Sequence, residues 1–342
     1  MSKKVVGLIH NLPVAPGQAF SEASADIMTQ VEAIEEALED LGHRSVRIPF
    51  TREVSGFITR MKEAGVEISV NLCETLDEDP HFVGHPVALL ELLSIPFSGS
   101  PAVALMLTTD KLTTKRLLKS HGISTPRYVT YNGTGNTDFH DLRYPVILKP
   151  RFQDASIGID QESIFRDEGS LREGINGFFD RFGPFLVEEY VGGREFNVSL
   201  FGYPSPSALP LAEIDFSAFP EGIFPIVGYR AKWDTSSFEY YHTPRKFPQG
   251  LSSSLRQGIE GIALECFHLL MLRDYGRIDM RVDDDGQIHV LEVNANPCLS
   301  PDAGFAAAIQ QAGMSYTDMV KELVDFMEQR SRNNGSPTAH IS

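Results

Sequence analysis

Three features of the sequence predict an α/β (α+β) protein built from consecutive pieces. Apolar strand-length runs alternate with helix-period segments over the first hundred residues, a strand-rich stretch follows, and a helix, a β-hairpin and two closing helices end the chain. The expected layout is a small N-terminal domain with a parallel sheet over residues 1–100, then two α+β subdomains over residues 101–190 and 191–330, then a flexible tail over residues 331–342. A length of 342 residues agrees with two or three packed units, since one domain takes roughly 150.

The elements can be justified in order. Residues 3–10 are a short apolar strand. Ile27, Val31, Ile34, Leu38 and Leu41 fall at steps of three and four, the stripe of an amphipathic helix, and Gly42 closes it. Residues 46–48 and 66–72 supply further strands, and residues 86–93 a second helix. Such alternation implies parallel strands with helices on the faces. A helix then runs from Asp110 to about His121, stopped by Gly122. Residues 144–149, 185–189, 195–203 and 209–216 read as strands, with a helix near 169–182. Asn132-Gly133-Thr134-Gly135-Asn136 is a loop without a third glycine or a preceding Rossmann strand, so it carries no phosphate-binding weight. A long helix over 252–272, a hairpin over 275–294 and two helices over 301–329 complete the chain. Residues 333–337 are turn-forming and polar, a tail expected to fray.

Composition narrows the function classes. The chain is 42% hydrophobic and 22% charged, ordinary for a globular protein. Thirty Lys and Arg against 46 Asp and Glu leave a formal charge of −16. That balance excludes nucleic acid and an anionic membrane as main partners. Cys73, Cys266 and Cys298 are far apart and have neither CxxC nor Cys/His spacing, so neither a disulfide framework nor a zinc site is indicated. The apolar run at residues 5–9 is too short for a signal peptide, and no later run approaches a membrane span. A cytoplasmic location is the expectation.

Chemistry shows first in the hairpin. With a two-residue turn at Asp284-Asp285, Val282 faces Gln287, Met280 faces His289, Asp279 faces Val290 and Arg277 faces Glu292. Arg277, Asp279, Glu292 and Asn294 then share one face, while Ile278, Met280, Leu291 and Val293 take the other. Two carboxylates, an amide oxygen and a guanidinium on one face suit Mg²⁺ completed by substrate phosphate. They equally suit a solvated face of alternating charge. Asp283-Asp284-Asp285-Gly286 lacks the alternating ligands and closing Glu of a calcium loop and reads as a turn. Lys149 ends a strand before a loop of small residues, Asp154-Ala155-Ser156-Ile157-Gly158. A lysine so placed can hold phosphate beneath a covering loop, although a strand-end lysine is commonly just solvated. No GxxxxGK[ST] is present, so the site is not of Walker type.

The order of these blocks resembles the ATP-grasp fold and, within it, the D-alanine–D-alanine ligase branch. The resemblance rests on Asp110-Lys111-Leu112-Thr113-Thr114-Lys115, residues 144–158, Leu186-Val187-Glu188-Glu189-Tyr190-Val191-Gly192-Gly193-Arg194-Glu195, Ala231-Lys232-Trp233, Arg277-Ile278-Asp279 and Leu291-Glu292-Val293-Asn294-Ala295-Asn296-Pro297. It covers about residues 96–326, with a looser match before. The resemblance implies two subdomains that clasp ATP. It places Lys111, Lys149 and Ser156 at the nucleotide phosphates, Glu188, Glu189, Tyr190 and Val191 at the adenine edge, Glu195 at the ribose and Leu291 under the base. It assigns Asp279, Glu292 and Asn294 to two Mg²⁺ ions, for which Mn²⁺ can substitute, and gives catalytic work to Lys232, Arg277 and Ser156. In this family ATP phosphorylates a carboxylate and an amine attacks the acyl phosphate. A homodimer is a further family expectation.

The departures bear on substrate. Family members carry Gly-Gly-x-Ser-x-Glu after the first strand; here His10-Asn11-Leu12-Pro13 follows, and Glu22 is the nearest acidic candidate. Ala155 stands where the first of two serines is usual, and Trp233 where a Tyr is usual. Cys298 replaces a Gly, and Ala303, before Gly304, falls where a Ser normally binds the second substrate's carboxylate. The substrate candidates are therefore Glu22, Trp233, Cys298, Ala303 and Gly304. Trp233 can be a stacking platform or core. Cys298 has no base partner near it in sequence and reads as packing rather than a nucleophile. His81 and His85 are bracketed by Pro80 and Pro86, which favours a loop over paired metal ligands. The expected activity is ATP-dependent ligation of two small amino-acid-like substrates, other than two D-alanines. The alternatives are a D-alanine–D-alanine ligase of peptidoglycan synthesis and an ATP-binding protein without ligase activity.

Overall fold

The computed structural model describes residues 3–15, 17–133 and 137–334. Strands β1 (Val5–His10), β2 (Arg44–Pro49) and β3 (Ile68–Asn71) form a parallel sheet in the order β2-β1-β3. Helix α1 (Ser21–Asp40) buries the expected stripe of Ile27, Val31, Ile34 and Leu38. Gly42 follows at φ +79, a left-handed turn that side-chain-bearing residues rarely adopt. Helix α2 (Val54–Ala64) has no counterpart in the sequence reading; it buries only Phe57 and Met61, too thin a stripe to announce itself. Helix α3 (His85–Leu92) leads to α4 (Ala102–Thr109), nearly all apolar and therefore without a readable period. Helix α5 (Lys111–Ser120) begins where Asp110 accepts the Leu112 N–H at 3.1 Å.

The second sheet is antiparallel, order β4-β7-β5-β6, from β4 (Tyr128–Tyr131), β5 (Val146–Pro150), β6 (Ile164–Phe165) and β7 (Phe185–Glu189). Alternation splits its strands cleanly. Val146, Leu148, Phe185 and Val187 pack under Leu171 and Ile175 of α6 (Glu168–Phe182). Ile147, Lys149 and Glu188 border a cleft instead.

The third sheet runs β11-β10-β8-β12-β13, with β9 (Ser207–Ala208) paired to β8 (Arg194–Gly202). Its other members are β10 (Ala212–Ile214), β11 (Arg245–Lys246), β12 (Asp274–Val282) and β13 (Ile288–Asn294). Short helices α7 (Tyr229–Trp233) and α8 (Phe238–Tyr241) lie between β10 and β11. Helix α9 (Ser253–Leu269) covers one face through Ile259, Ala263, Cys266 and Phe267, against Phe196, Val198, Ile278 and Met280. The chain closes with α10 (Gly304–Gln311) and α11 (Tyr316–Asn334). Val320, Leu323 and Val324 of α11 share a core with Val31, Ile34 and Leu38 of α1, so α11 packs against α1. Asp274 ties these pieces further, accepting from the Gly99 N–H and from Arg330 Nη2, each at 2.9 Å.

Several expectations are corrected. The hairpin loop is residues 283–287, with Val282 opposite Ile288. Asp283 closes it by accepting the N–H groups of Asp285 (3.1 Å) and Gln287 (2.8 Å), and Gly286 takes φ +81. A register shift beyond Asp279 leaves Leu291 as an extra residue, so Asp279 faces Glu292 and Arg277 faces Asn294. The bulge separates Leu291 from Val290 and Val293: those two belong to the apolar core cluster and Leu291, which borders the cleft, does not. The strand expected over 209–216 is only β10, and the tail expected from 331 is helical through Asn334. Residues 335–342 and 134–136, parts of the tail and of the Asn132–Asn136 loop, lie outside the described residues. His81 sits in a one-turn 3-10 helix and His85 opens α3, so they share no helix. No helix among the described residues is long and apolar enough to cross a membrane.

Candidate active site

The three pieces face a common cavity of about 770 Å³, within the usual range for small-ligand sites. Asn11, Asp26 and Glu74 border it from the N-terminal piece, Lys149 and Glu188 from the second sheet, and Asp279, Arg281, Glu292 and Asn294 from the third.

Charge inside the cavity is arranged in partnered sets. Lys111, at the start of α5, lies 2.7 Å from Glu292 Oε1 and 3.1 Å from Asp154 Oδ1, and donates to the Gln153 carbonyl at 2.6 Å. Burial alone would lower its pKa, but those carboxylates outweigh it and hold the ammonium charged. Glu292, against its own burial, is pulled down to about 2 by Lys111, Lys232 and Lys149. Glu188 is fully buried between Lys115 (3.2 Å) and Lys149 (3.1 Å). Burial would raise its carboxyl, yet the two ammonium groups lower it. The attraction is chiefly Coulombic, with hydrogen bonding to the two ammonium groups adding less. Burial and the neighbouring Lys149 charge push Lys115 down to about 8. Lys115 lies in a block the sequence singled out but received no role there.

The third sheet supplies the remaining polar groups. Arg277 grips Asp279 with two parallel bonds of 2.7 and 2.8 Å, and Asn197 donates to the same carboxylate at 2.9 Å. Lys232 stands nearby with its pKa lowered, first by burial and then by Arg277. Arg281, which sequence reasoning missed, is buried and donates to Glu195 (2.8 and 3.0 Å) and to the Val191 carbonyl at 2.6 Å. Its guanidinium lies 5.1 Å from the Tyr190 ring centroid. An arginine among apolar strand residues gives no sequence signal of its own. Glu189 turns its side chain to Arg143, at 2.8 and 3.0 Å.

A loop covers the cavity. Ala155 and Ser156 adopt φ of 54 and 61, and Ser156 Oγ donates to the Val227 carbonyl at 2.8 Å. Trp233 donates its indole N–H to the Ala155 carbonyl at 3.1 Å. Trp233 borders the cavity with its polar edge spent on the loop.

The far end carries carboxylates. Asp26 accepts from Ser300 Oγ (2.8 Å), Cys298 Sγ (3.0 Å) and Gln30 Nε2 (3.3 Å), and Gln30 also donates to Glu74 at 3.1 Å. Burial pushes Glu74 up to about 7. The Cys298 thiol is pushed well up by burial and by Asp26, which keeps it protonated and unsuited to nucleophilic work. Glu22, the acidic candidate from sequence, is exposed and meets Tyr229 OH at 3.4 Å outside the cavity lining. Asp26 and Glu74 stand inside instead. One follows Glu22 by a helical turn on α1 and the other comes from the loop after β3, a pairing that only tertiary structure creates. Ala303 and Gly304 border the cavity at the start of α10.

The donor set can be tested for a metal. Asp279 and Glu292 are cross-strand partners, Asn294 is two residues on, and all three offer oxygen. Asn294 Oδ1 accepts only the Asn296 N–H, at 3.1 Å, and keeps a lone pair. Among the described residues no three His, Cys, Asp or Glu side chains cluster as a metal cage. Two carboxylates and an amide fit Mg²⁺, which takes few protein ligands and finishes its shell with phosphate and water.

A family described as D-ala D-ala ligase C-terminus matches residues 117–325. A D-alanine–D-alanine ligase of Moorella thermoacetica is 30% identical over 303 residues, 86% of this chain and 92% of that one. The chain belongs to the D-alanine–D-alanine ligase family. It is thus related to ATP-grasp ligases, which form a C–N bond and release ADP. An uncharacterized protein of Sinorhizobium fredii is 32% identical over 267 residues, 78% of this chain and 76% of that one. The fold agrees: a D-alanine–D-alanine ligase structure from Bacillus anthracis complexed with ATP superposes with TM-score 0.76 at 22% identity, covering 97% of this chain and 100% of that one. Within this ligase family the ATP-grasp fold accounts for the two antiparallel sheets that face each other across the cavity.

Proposed function

We propose that the protein joins two amino-acid-like substrates through an acyl phosphate and that the pair is not two D-alanines. The observation that carries this reading is a contrast within one cavity. Its lysine-rich end keeps the family's residues, while the substrate end offers Ala303 and Cys298 where a serine and a glycine are usual, with Asp26, Glu74 and Asp302 among its acidic groups. A site that loses the partners of one substrate loses discrimination for it.

In this reading Lys111 and Lys149 leave Glu292 and Glu188 to meet the nucleotide phosphates, and Ser156 with its loop covers them. The base lies against Leu291 and the 188–191 backbone, with Glu195 at the ribose. Asp279, Glu292 and Asn294 would hold two Mg²⁺ or Mn²⁺ ions, which supply charge neutralisation at the transferring phosphoryl group. Lys232 and Arg277 stabilise charge on that group and on the tetrahedral species that follows amine attack. The closed loop keeps water from the acyl phosphate. The residue ranges 1–100, 101–190 and 191–330 serve as the three working bodies of this cycle.

The second reading is a D-alanine–D-alanine ligase, which the Moorella relative's extent of match favours. ADP release measured with D- and L-amino acids, singly and in pairs, separates the two, with products weighed by mass spectrometry. A product from a pair other than D-alanine with itself supports the proposal. Dipeptide formed from D-alanine alone, at a rate no other pair equals, establishes the second reading.

A further inference from the structure

We infer that Arg245 binds a carboxylate of the amine substrate, supplying recognition that Ala303, without a hydroxyl, cannot. The inference rests on the ligase reading and adds a specificity residue to it.

Strand register puts Arg245 on the working face. Arg245 stands opposite Ile214, Ile214 opposite Glu195, and Glu195 opposite Arg281. Directly paired residues project to the same side of a sheet, and Ile214, Glu195 and Arg281 all border the cavity, as does Arg245 itself. The sequence marked 245 with nothing, because β11 is two residues long and exposed.

Its partners set it apart. Of the cations that line the cavity, Lys111, Lys149, Arg277 and Arg281 each have a carboxylate within 3.1 Å, whereas Lys232, Arg181 and Arg245 have none among the described residues. Among the described residues Arg245 has no carboxylate within ion-pair distance; the charges it feels are Arg277, which disfavours its ionised form, and Asp302, which favours it. Its guanidinium lies along the first residue of α10: a Cβ added to Gly304 would come within 3.3 Å of Nε and 3.4 Å of Nη2. Glycine at 304 therefore keeps the cation against the backbone beside Ala303.

A guanidinium held near a second one, at the rim of a small-molecule site, is suited to a bidentate anion. The attacking nitrogen must be uncharged, so the anion belongs elsewhere on the amine substrate. In an amino acid that group is a carboxylate, either the α-carboxylate or one on the side chain. Arg277 already commits two donors to Asp279, and Arg181, the other lining guanidinium without a carboxylate partner among the described residues, lies over Phe20 and Phe182 instead, so Arg245 is the uncommitted fork that stands beside Ala303 and Gly304.

Calorimetric binding to the full chain saturated with Mg–ADP tests this. D-alanine against D-alaninamide probes the α-carboxylate, and D-glutamate against D-glutamine the side-chain carboxylate, with the L-forms in parallel. At least one acid is expected to bind about tenfold or more tightly than its amide, the difference a charge-assisted bond makes. Arg245→Met should abolish that preference and Arg245→Lys restore part of it. Thermal unfolding checks each variant, and Arg245→Gln replaces a Met variant that does not fold. No binding of any acid, equal binding of acid and amide, or a preference that survives Arg245→Met each overturns the assignment. The ligase reading fails separately, when no amino acid stimulates ADP release.

Discussion

The indole nitrogen of Trp233 lies 3.1 Å from the carbonyl oxygen of Ala155 and donates its proton to it, tying α7 to the loop after β5. Ser156 makes the second tie, to the Val227 carbonyl. Because the Trp233 bond uses backbone, position 155 needs no hydroxyl to keep the loop down. Trp233→Phe removes one bond of about 1 kcal/mol, so the ratio of amide product to ADP should fall by about fivefold as water reaches the intermediate. Product and ADP quantified in the same reaction check this, and an unchanged ratio assigns loop closure to Ser156 alone.

Asp279 and Glu292 face each other across β12 and β13. Replacing either with its amide, Asp279→Asn or Glu292→Gln, keeps the shape and removes one negative charge. The Mg²⁺ concentration giving half-maximal activity should rise by about tenfold or more, as altered metal sites generally show. A metal titration that superimposes on that of the unaltered enzyme removes both residues from the metal site.

Among the described residues Glu188 is the one carboxylate within ion-pair distance of both buried ammonium groups, Lys115 and Lys149. Glu188→Gln leaves both without the carboxylate they are paired to, a change that typically costs about 3–5 kcal/mol. A clear drop in thermal midpoint is expected, with Lys115→Met in the same chain recovering part of it. Equal midpoints for Glu188→Gln and the unaltered protein would mean that the lysines are neutral.

Glu74 gives a pH signature. Its carboxyl is pushed from 4.5 up to about 7 by burial, so between those values the folded chain binds more protons than the unfolded one. Stability must then fall as pH rises through that window, by an amount of the order of 3 kcal/mol for this group alone. Glu74→Gln should flatten the slope from pH 4.5 to 7. Chemical denaturation at several pH values reads it directly, and an unaltered slope places the ionised carboxylate in solvent.

Much of this was legible in the sequence, for a physical reason. Side-chain alternation put Arg277, Asp279, Glu292 and Asn294 on one face whatever the turn, and it survived a register that was wrong by two residues at Asp279. The loop itself was not legible, because its closure depends on where the Asp283 carboxylate points. Leu291 shows the same limit: a bulge moves a residue out of the core without altering the hydrophobic pattern. Glu22 was chosen for its position along the chain, whereas Asp26 and Glu74 meet only through Gln30, across two elements. Arg245 was invisible for a related reason, since its significance lies in the register and the turn of chain that set it beside Ala303 and Gly304.

The pairing of Lys111 with Glu292, Lys149 with Glu188 and Arg277 with Asp279 also bears on turnover. Lys111, Lys149 and Arg277 already have internal counter-ions, so a lone phosphate ion must compete with a tethered carboxylate at each of these three cations. A nucleotide arriving with its metal can exchange partners, cation for cation and anion for anion, without leaving the carboxylates exposed to one another. Inorganic phosphate left after catalysis has no such exchange to offer once the metal departs. Product inhibition by phosphate should accordingly be weak, and the internal ion pairs would act as the spring that clears the site for the next cycle.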